Sequence, residues 1–170
     1  MAERFLVVDH LKLAYEGLFN SDELFNIASA FFYEKGYDWY EKLNLRQVTP
    51  TGKQIRIVLE PWKNITDFYK IIISVKMNMT DVREVEVEQD GQALKLNQGQ
   101  VHIIFDAYIL ADRNDVWSKK PWHWFVSIIS QKYFFKDHFA KAETWVKSDL
   151  EDLHGRLKRY LNVFKYTYTE

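Results

Sequence analysis

The chain has 170 residues, of which 47% are hydrophobic and 28% are charged, and this composition is typical of one globular domain over residues 1–170. The net charge of −1 excludes a strongly basic protein that attracts nucleic acid or anionic lipid through its overall field. The lack of cysteine excludes disulfides, a thiolate nucleophile and cysteine-based metal centres.

The first residues predict a strand and then a helix. Residues 4–16 alternate loosely between apolar and polar side chains. Asn20 and Glu23 form a capping pattern, after which apolar residues recur at helical spacing until Gly36. No secretory signal opens the chain, and no apolar run reaches the roughly 18 residues that a membrane span needs. We therefore expect a cytoplasmic protein with no integral membrane segment.

The middle of the chain predicts an antiparallel meander with one apolar and one solvated face. Turn signals such as Asp90-Gly91 separate short segments of period-two alternation. These segments lie around residues 39–46, 54–60, 70–80, 84–88, 94–96 and 101–109.

Three polar residues, Asp9, Glu41 and Gln47, fall on the face that the alternation assigns to the core. A buried carboxylate is costly unless it is paired, so an inward Glu41 would be a site candidate. The alternative is that Glu41 lies near a strand end or a bulge and reaches water.

The last third predicts helices. Pro121 suits the first turn of a short helix. From Phe135 to Phe164 an apolar residue recurs every three or four positions, and a helix of this length spans roughly 45 Å. Such a one-sided helix must pack on the apolar face of the sheet. The fold class is therefore α+β, a curved antiparallel sheet of about six to seven strands with one N-terminal helix and a long C-terminal helix packed on it.

This order of strand, helix, antiparallel strands and long final helix resembles the helix-grip fold of the START/SRPBCC superfamily, which includes polyketide cyclases, Bet v 1-like proteins and lipid-transfer START domains. The resemblance covers the whole chain and lies in the layout of the elements. It implies a deep apolar cavity between the sheet and the final helix, which holds lipids, sterols or aromatic metabolites. We expect the ligand contacts to come from Trp39, Glu41, Met77, Phe105 and Trp145.

Patterns that could carry catalysis or bind a metal are weak. Glu151 and His154 have Glu-x-x-His spacing, but a di-iron bundle needs two such motifs, so we interpret them as a solvated helix face. Glu84, Glu86 and Glu88 alternate with valines and point outward on a strand, whereas acid–base catalysis needs carboxylates in a cleft. We therefore name no catalytic residue, metal or cofactor, and an enzyme acting within the cavity is the third hypothesis.

A tryptophan-rich segment is the most unusual local feature. Trp117, Trp122 and Trp124 lie close together beside Lys119 and Lys120. Three interpretations are open: packing against the sheet, which we prefer, a homo-oligomer or partner interface, and contact with a membrane surface or nucleic acid. The lack of a wider basic patch argues against nucleic acid.

The leading functional hypothesis is the binding of an apolar small molecule or lipid in the cavity between the sheet and the C-terminal helix. The alternative is a non-enzymatic protein-interaction module with a filled core, either a homodimer or a subunit of a larger assembly. Met77 separates the two, because it lies in mid-strand on the inward face and would line either a cavity or a filled core.

Overall fold

The computed structural model describes residues 3–67, 69–111 and 136–167, together with Trp122, Phe125 and Ile129, which are helical. The remaining described elements follow one another along the chain in this order: β1 Glu3–Phe19, α1 Ser21–Glu34, β2 Glu41–Thr49, β3 Gly52–Leu59, β4 Trp62–Asn64, β5 Tyr69–Gln89, β6 Gln92–Ala111 and α2 Lys136–Thr167.

The strands form one curved antiparallel sheet in the order β1-β6-β5-β3-β2, with the short β4 paired to β5. Asp90 and Gly91 both have positive φ, 52° and 76°, as a two-residue hairpin turn requires between β5 and β6. The first strand of the chain, β1, pairs with the last one, β6. The predicted α+β fold class is confirmed.

The central hairpin is longer than the alternation predicts. Residues 70–80 and 84–88, expected as separate strands, belong to the single strand β5. The pairing of β5 with β6 continues across a register shift between Thr80 and Arg83, where Asp81 has a φ of 53°. A β-bulge adds residues to one strand without ending its hydrogen-bonded pairing. In the sequence it therefore looks like an interruption of the apolar–polar alternation.

The core lies between the sheet and α2. Sheet residues such as Ile73, Met77 and Phe105 are fully buried. The side of α2 that faces them carries a buried stripe at helical spacing, formed by Ala142, Val146, Leu150, Leu153, Leu157 and Leu161. The middle of the predicted stripe is thus buried, whereas Phe139 and Phe164 near its ends are only half-buried. Phe135 lies outside the described residues. Burying each leucine contributes roughly 1.5–3 kcal/mol, which explains why the helix lies along the sheet.

Helix α1 begins where the capping pattern predicts. The side chain of Asn20 accepts hydrogen bonds from the backbone N–H groups of Asp22 and Glu23, at 3.0 and 3.2 Å. The backbone N–H of Asn20, which a capping box would satisfy through Glu23, donates instead to the Tyr160 hydroxyl at 3.2 Å. That hydroxyl lies 3.1 Å from Oε2 of Glu23, so a residue of α2 is inserted into the cap of α1.

Candidate functional site

The five residues expected to contact a ligand lie in different environments. Met77 and Phe105 are fully buried in the core beneath α2. Trp39 and Glu41 are exposed, and Trp145 of α2 is 52% exposed. The structure therefore separates these residues into two that lie in the core and three that face solvent.

Asp9, Glu41 and Gln47, which the alternation assigns to the inward face, are all exposed. For Glu41 this agrees with the alternative that it lies near a strand end or a bulge and reaches water. Asp9 lies in a stretch of β1 where the register with β6 shifts. The pairing of β2 with β3 shifts between Glu41 and Leu43, and β2 is the last strand in the sheet order. Bulges and an edge position both break the simple rule that alternate residues face inward.

A groove opens where the β5–β6 hairpin passes the C-terminal end of α2. It has a volume of about 450 Å³. We call it the hairpin groove and define it by its lining residues: Tyr15, Glu16, Gly17 and Leu18 of β1, Val85 and Val87 of β5, Gln98 of β6, and Phe164 and Lys165 of α2.

The bend of the hairpin positions this groove. β3 pairs with β5 only as far as Val82, and β1 pairs with β6 only as far as Asn97, so the tip of the hairpin extends beyond its neighbours. At the bend, a Cβ on Gly99 would lie 2.8 Å from the backbone oxygen of Thr80. Glycine at this position lets the two strands approach closely through the bulge.

Two aromatic residues shape the apolar side of the groove. The Tyr15 hydroxyl donates to the carbonyl oxygen of Leu18 at 2.7 Å, and this hydrogen bond orients the ring. Burial raises the pKa of Tyr15, so the hydroxyl stays protonated and can donate. Phe164 packs edge-on against Tyr160, with ring centroids 5.1 Å apart. The groove can therefore hold an apolar body against these rings, with Glu16, Gln98 and Lys165 contributing polar groups.

None of these lining residues is among the five expected from the sequence to contact a ligand. In the sequence, Val85 and Val87 indicate only one side of a strand whose other side carries glutamates. The sequence signal for this wall of the groove was the alternation of these two valines with three glutamates. No other element had been expected to cover the apolar side of this segment. Which element meets them depends on how far the hairpin extends past α2.

A second groove of about 340 Å³ lies between the start of α1 and the strands β2 and β3. Four of its charged side chains form two ion pairs. Arg46 lies 3.3 Å from Asp22, and Lys53 lies 2.9 Å from Glu84, whose pKa it lowers through a hydrogen bond and its charge. Two of the cations that line this groove thus already have carboxylate partners, so the hairpin groove is the better candidate site.

The tryptophan-rich segment is described only in part. Trp117 and Trp124 lie outside the described residues. Trp122 is 70% exposed, and its ring lies 6.1 Å from that of Phe125. Phe125 and Ile129 are also exposed, and the spacing of three and four residues places all three on one helix face.

Metal-like donor groups converge at one place in the described part of the chain. One donor atom each from Asp9, His10 and Asp106 lie within 4.8 Å of one another. They are on the sheet face turned away from α2, because Phe105 and Ala107, on either side of Asp106, point into the core. The two residues with Glu-x-x-His spacing lie in different surroundings. Glu151 is exposed, whereas the His154 ring packs 5.6 Å from the ring of Phe105.

In the described residues, no helix combines the length and the hydrophobicity needed to cross a bilayer. No protein-family model matches this chain, and no curated protein sequence matches it.

Proposed function

We propose that this protein binds an apolar small molecule or lipid in the hairpin groove. The observation that carries the proposal is the groove itself, whose volume of about 450 Å³ is bounded largely by apolar and aromatic side chains. Pockets for small ligands typically have roughly 300–1,000 Å³, mostly apolar walls and a few polar groups. The hairpin groove meets each of these criteria.

The ligand in this proposal lies at the end of the space between the sheet and α2, where Phe164 faces the hairpin. Burial beneath α2 favours this location over the interior, because Met77, Phe105 and Leu157 are fully buried there against protein atoms. Close-packed interiors leave few voids larger than a water molecule. Lys165 and Gln98 suit a ligand whose polar end faces solvent while its apolar part lies against Val85 and Val87.

The order of the elements also supports the proposal. A first strand that pairs with the last one, and a long final helix across the sheet, are compatible with a helix-grip layout. In its more specific form, the proposal is that this chain is related to the START/SRPBCC superfamily and is a cytoplasmic carrier of apolar molecules. A shared layout is a weak warrant for function, so the groove carries the greater weight.

Binding of anilinonaphthalene sulfonate, measured by its fluorescence, tests the proposal. We expect saturable binding to the wild type, and an affinity at least about tenfold lower for Phe164→Ala, since losing a buried aromatic contact costs more than 1.4 kcal/mol. Val87→Asn should also weaken binding, because it places a polar side chain in the apolar wall.

Val163→Asn is the matched control. Val163 precedes Phe164 on α2, is exposed and does not line the groove. The same chemical change should leave the dye affinity unaltered there. Equal affinities for wild type, Val87→Asn and Phe164→Ala would contradict the proposal.

A second candidate function is self-association. The exposed apolar helix face of Trp122, Phe125 and Ile129 favours it, since aromatic anchors are enriched at protein interfaces. The expected result is that Trp122→Ala shifts the molar mass in light scattering toward the monomer and leaves the circular dichroism spectrum intact. A wild type that is monomeric at all concentrations would exclude this candidate.

A further inference from the structure

The sheet face turned away from α2 contains a buried carboxylate. Asp106 is 1% exposed, although it projects from the outer side of β6. Its Oδ1 accepts a hydrogen bond from the backbone N–H of His10 at 2.8 Å, and its Oδ2 lies 3.2 Å from Nζ of Lys76. Burying a carboxylate is costly unless it is paired, and these two contacts offset the cost.

A bulge in β1 brings two further donor groups to this carboxylate. Val8 pairs with Ala107 and Leu11 pairs with Phe105, so Asp9 and His10 together stand opposite Asp106 alone. His10 has a φ of 50°, in the left-handed region. Its Nδ1 contacts Oδ1 of Asp9 and lies 3.4 Å from Oδ1 of Asp106.

An unsatisfied hydroxyl group lies beside the same carboxylate. Ser74 pairs directly with Asp106 across β5 and β6, and Lys76, two residues further along β5, contacts Asp106 from the same face. Side chains of directly paired residues lie about 4.5–5.5 Å apart at Cβ. Ser74 is 2% exposed, and its Oγ has no hydrogen-bond partner among the described residues. Such an orphan group in a folded protein calls for a missing partner.

We propose that Asp9, His10 and Asp106 bind a divalent transition-metal ion of the zinc class. The donor set is one imidazole nitrogen and two carboxylate oxygens, whereas magnesium and calcium prefer oxygen ligands alone. Two ligands at tetrahedral positions, each about 2.1 Å from a zinc ion, lie about 3.4 Å apart. That is the separation of His10 Nδ1 and Asp106 Oδ1. The Asp9 carboxylate contacts Nδ1 directly, so this exposed side chain would have to move away from the imidazole to bind the same ion.

The surroundings of the three ligands suit such an ion. Two carboxylates and one ammonium give the cluster a net negative charge. Lys76 lies on Oδ2 of Asp106 and leaves Oδ1, which has a second lone pair, directed toward His10. Three protein ligands leave a coordination position for water, and a bound water beside Ser74 would provide its hydroxyl with a partner. Asp9 and His10 are exposed, so an ion has access from solvent.

This site is independent of the proposed ligand binding, because it lies on the other face of the sheet from the hairpin groove. Its test is a titration of the untagged protein with Zn²⁺ by calorimetry, and with Co²⁺ by visible absorption, near neutral pH. The wild type should bind one ion per chain. Asp9→Asn and His10→Gln should each weaken binding by about 10- to 100-fold, as even the loss of an outer-shell partner costs a metal site that much. Both residues are exposed, so neither change should unfold the protein.

His102→Gln is the matched control, since His102 is an exposed imidazole on the same face of β6. It should leave the affinity and the Co²⁺ spectrum unchanged. The proposal is overturned if the wild type binds neither ion, if His10→Gln binds as tightly as the wild type, or if His102→Gln loses as much affinity as His10→Gln.

Discussion

Tyr160 packs its ring edge-on against Phe164 at 5.1 Å, while its hydroxyl lies in the cap of α1, 3.1 Å from Glu23. One side chain thus couples the start of α1 to the wall of the hairpin groove. Burial raises the pKa of Tyr160, so the hydroxyl remains protonated and can donate.

Tyr160→Phe separates these two roles. The ring remains, so dye binding in the groove should be unchanged. The backbone N–H of Asn20 loses its acceptor, which should lower the free energy of unfolding by about 0.5–1.5 kcal/mol. Chemical denaturation and dye titration on the same sample measure both quantities. A loss of dye affinity without a loss of stability would contradict this division.

The one-sided packing of α2 predicts unequal effects at neighbouring positions. Leu157 is fully buried, and Leu157→Ala should cost about 2–5 kcal/mol of unfolding free energy. Lys158 is exposed, and Lys158→Ala should stay within about 0.5 kcal/mol of the wild type. Urea denaturation compares them, and similar costs at both positions would show that α2 is not packed on one side.

Two glycines should respond to alanine with opposite signs. At Gly155, within α2, an added Cβ meets nothing within 4 Å, so Gly155→Ala should stabilise the protein by about 0.5–1 kcal/mol through helix propensity. At Gly99 the Cβ would lie 2.8 Å from the oxygen of Thr80, a backbone atom, so Gly99→Ala should cost about 1–3 kcal/mol. Thermal unfolding measures both changes. If Gly99→Ala is as stable as the wild type, the close approach at the hairpin bend is wrong.

The bridge between the helices should depend on pH. Arg156 donates to both carboxylate oxygens of Glu34, at 2.8 and 3.2 Å, and this hydrogen bonding together with its charge lowers the pKa of Glu34. Because the pKa of Glu34 is lower in the folded state, the ionised carboxylate stabilises the fold at pH values above the unfolded-state pKa, which is about 4.3 for glutamate. This stability is lost as the pH falls through the folded-state pKa.

Glu34→Gln removes that contribution. Its melting temperature should therefore lie below that of the wild type at neutral pH, and the two should converge in acid. The effect should be small and reduced by salt, because the pair is exposed to solvent. A difference in melting temperature that does not change with pH would assign the effect to packing.

Much of this fold could be predicted because periodicity is a local property. The stripe that includes Leu150 and Leu157, and the alternation around Met77, reveal helix and strand without knowledge of their partners. The sequence pattern could not predict which of these segments continue into one another as a single strand. The bulge at Asp81 leaves β5 as one strand, because main-chain pairing continues through a change in side-chain phase.

The candidate sites depend on contacts that are distant in sequence. Val85 and Phe164 line one groove only because the hairpin passes the end of α2. His10 and Asp106 are joined by a bulge in β1, and the available signal was two consecutive polar residues, Asp9 and His10, which interrupt an apolar alternation. Sequence pattern assigned Asp9 to the core side, because a simple period of two has no place for an extra residue.

The proposed apolar ligand lies in the hairpin groove and not beneath α2. Methyl-resolved NMR of the wild type during titration with laurate distinguishes these two locations. We expect saturable shifts at the methyl groups of Leu18, Val85 and Val87, with the signal of the buried Met77 methyl unchanged. Shifts centred on Met77 and Ile103, or no shift at the groove methyl groups, would contradict the proposal.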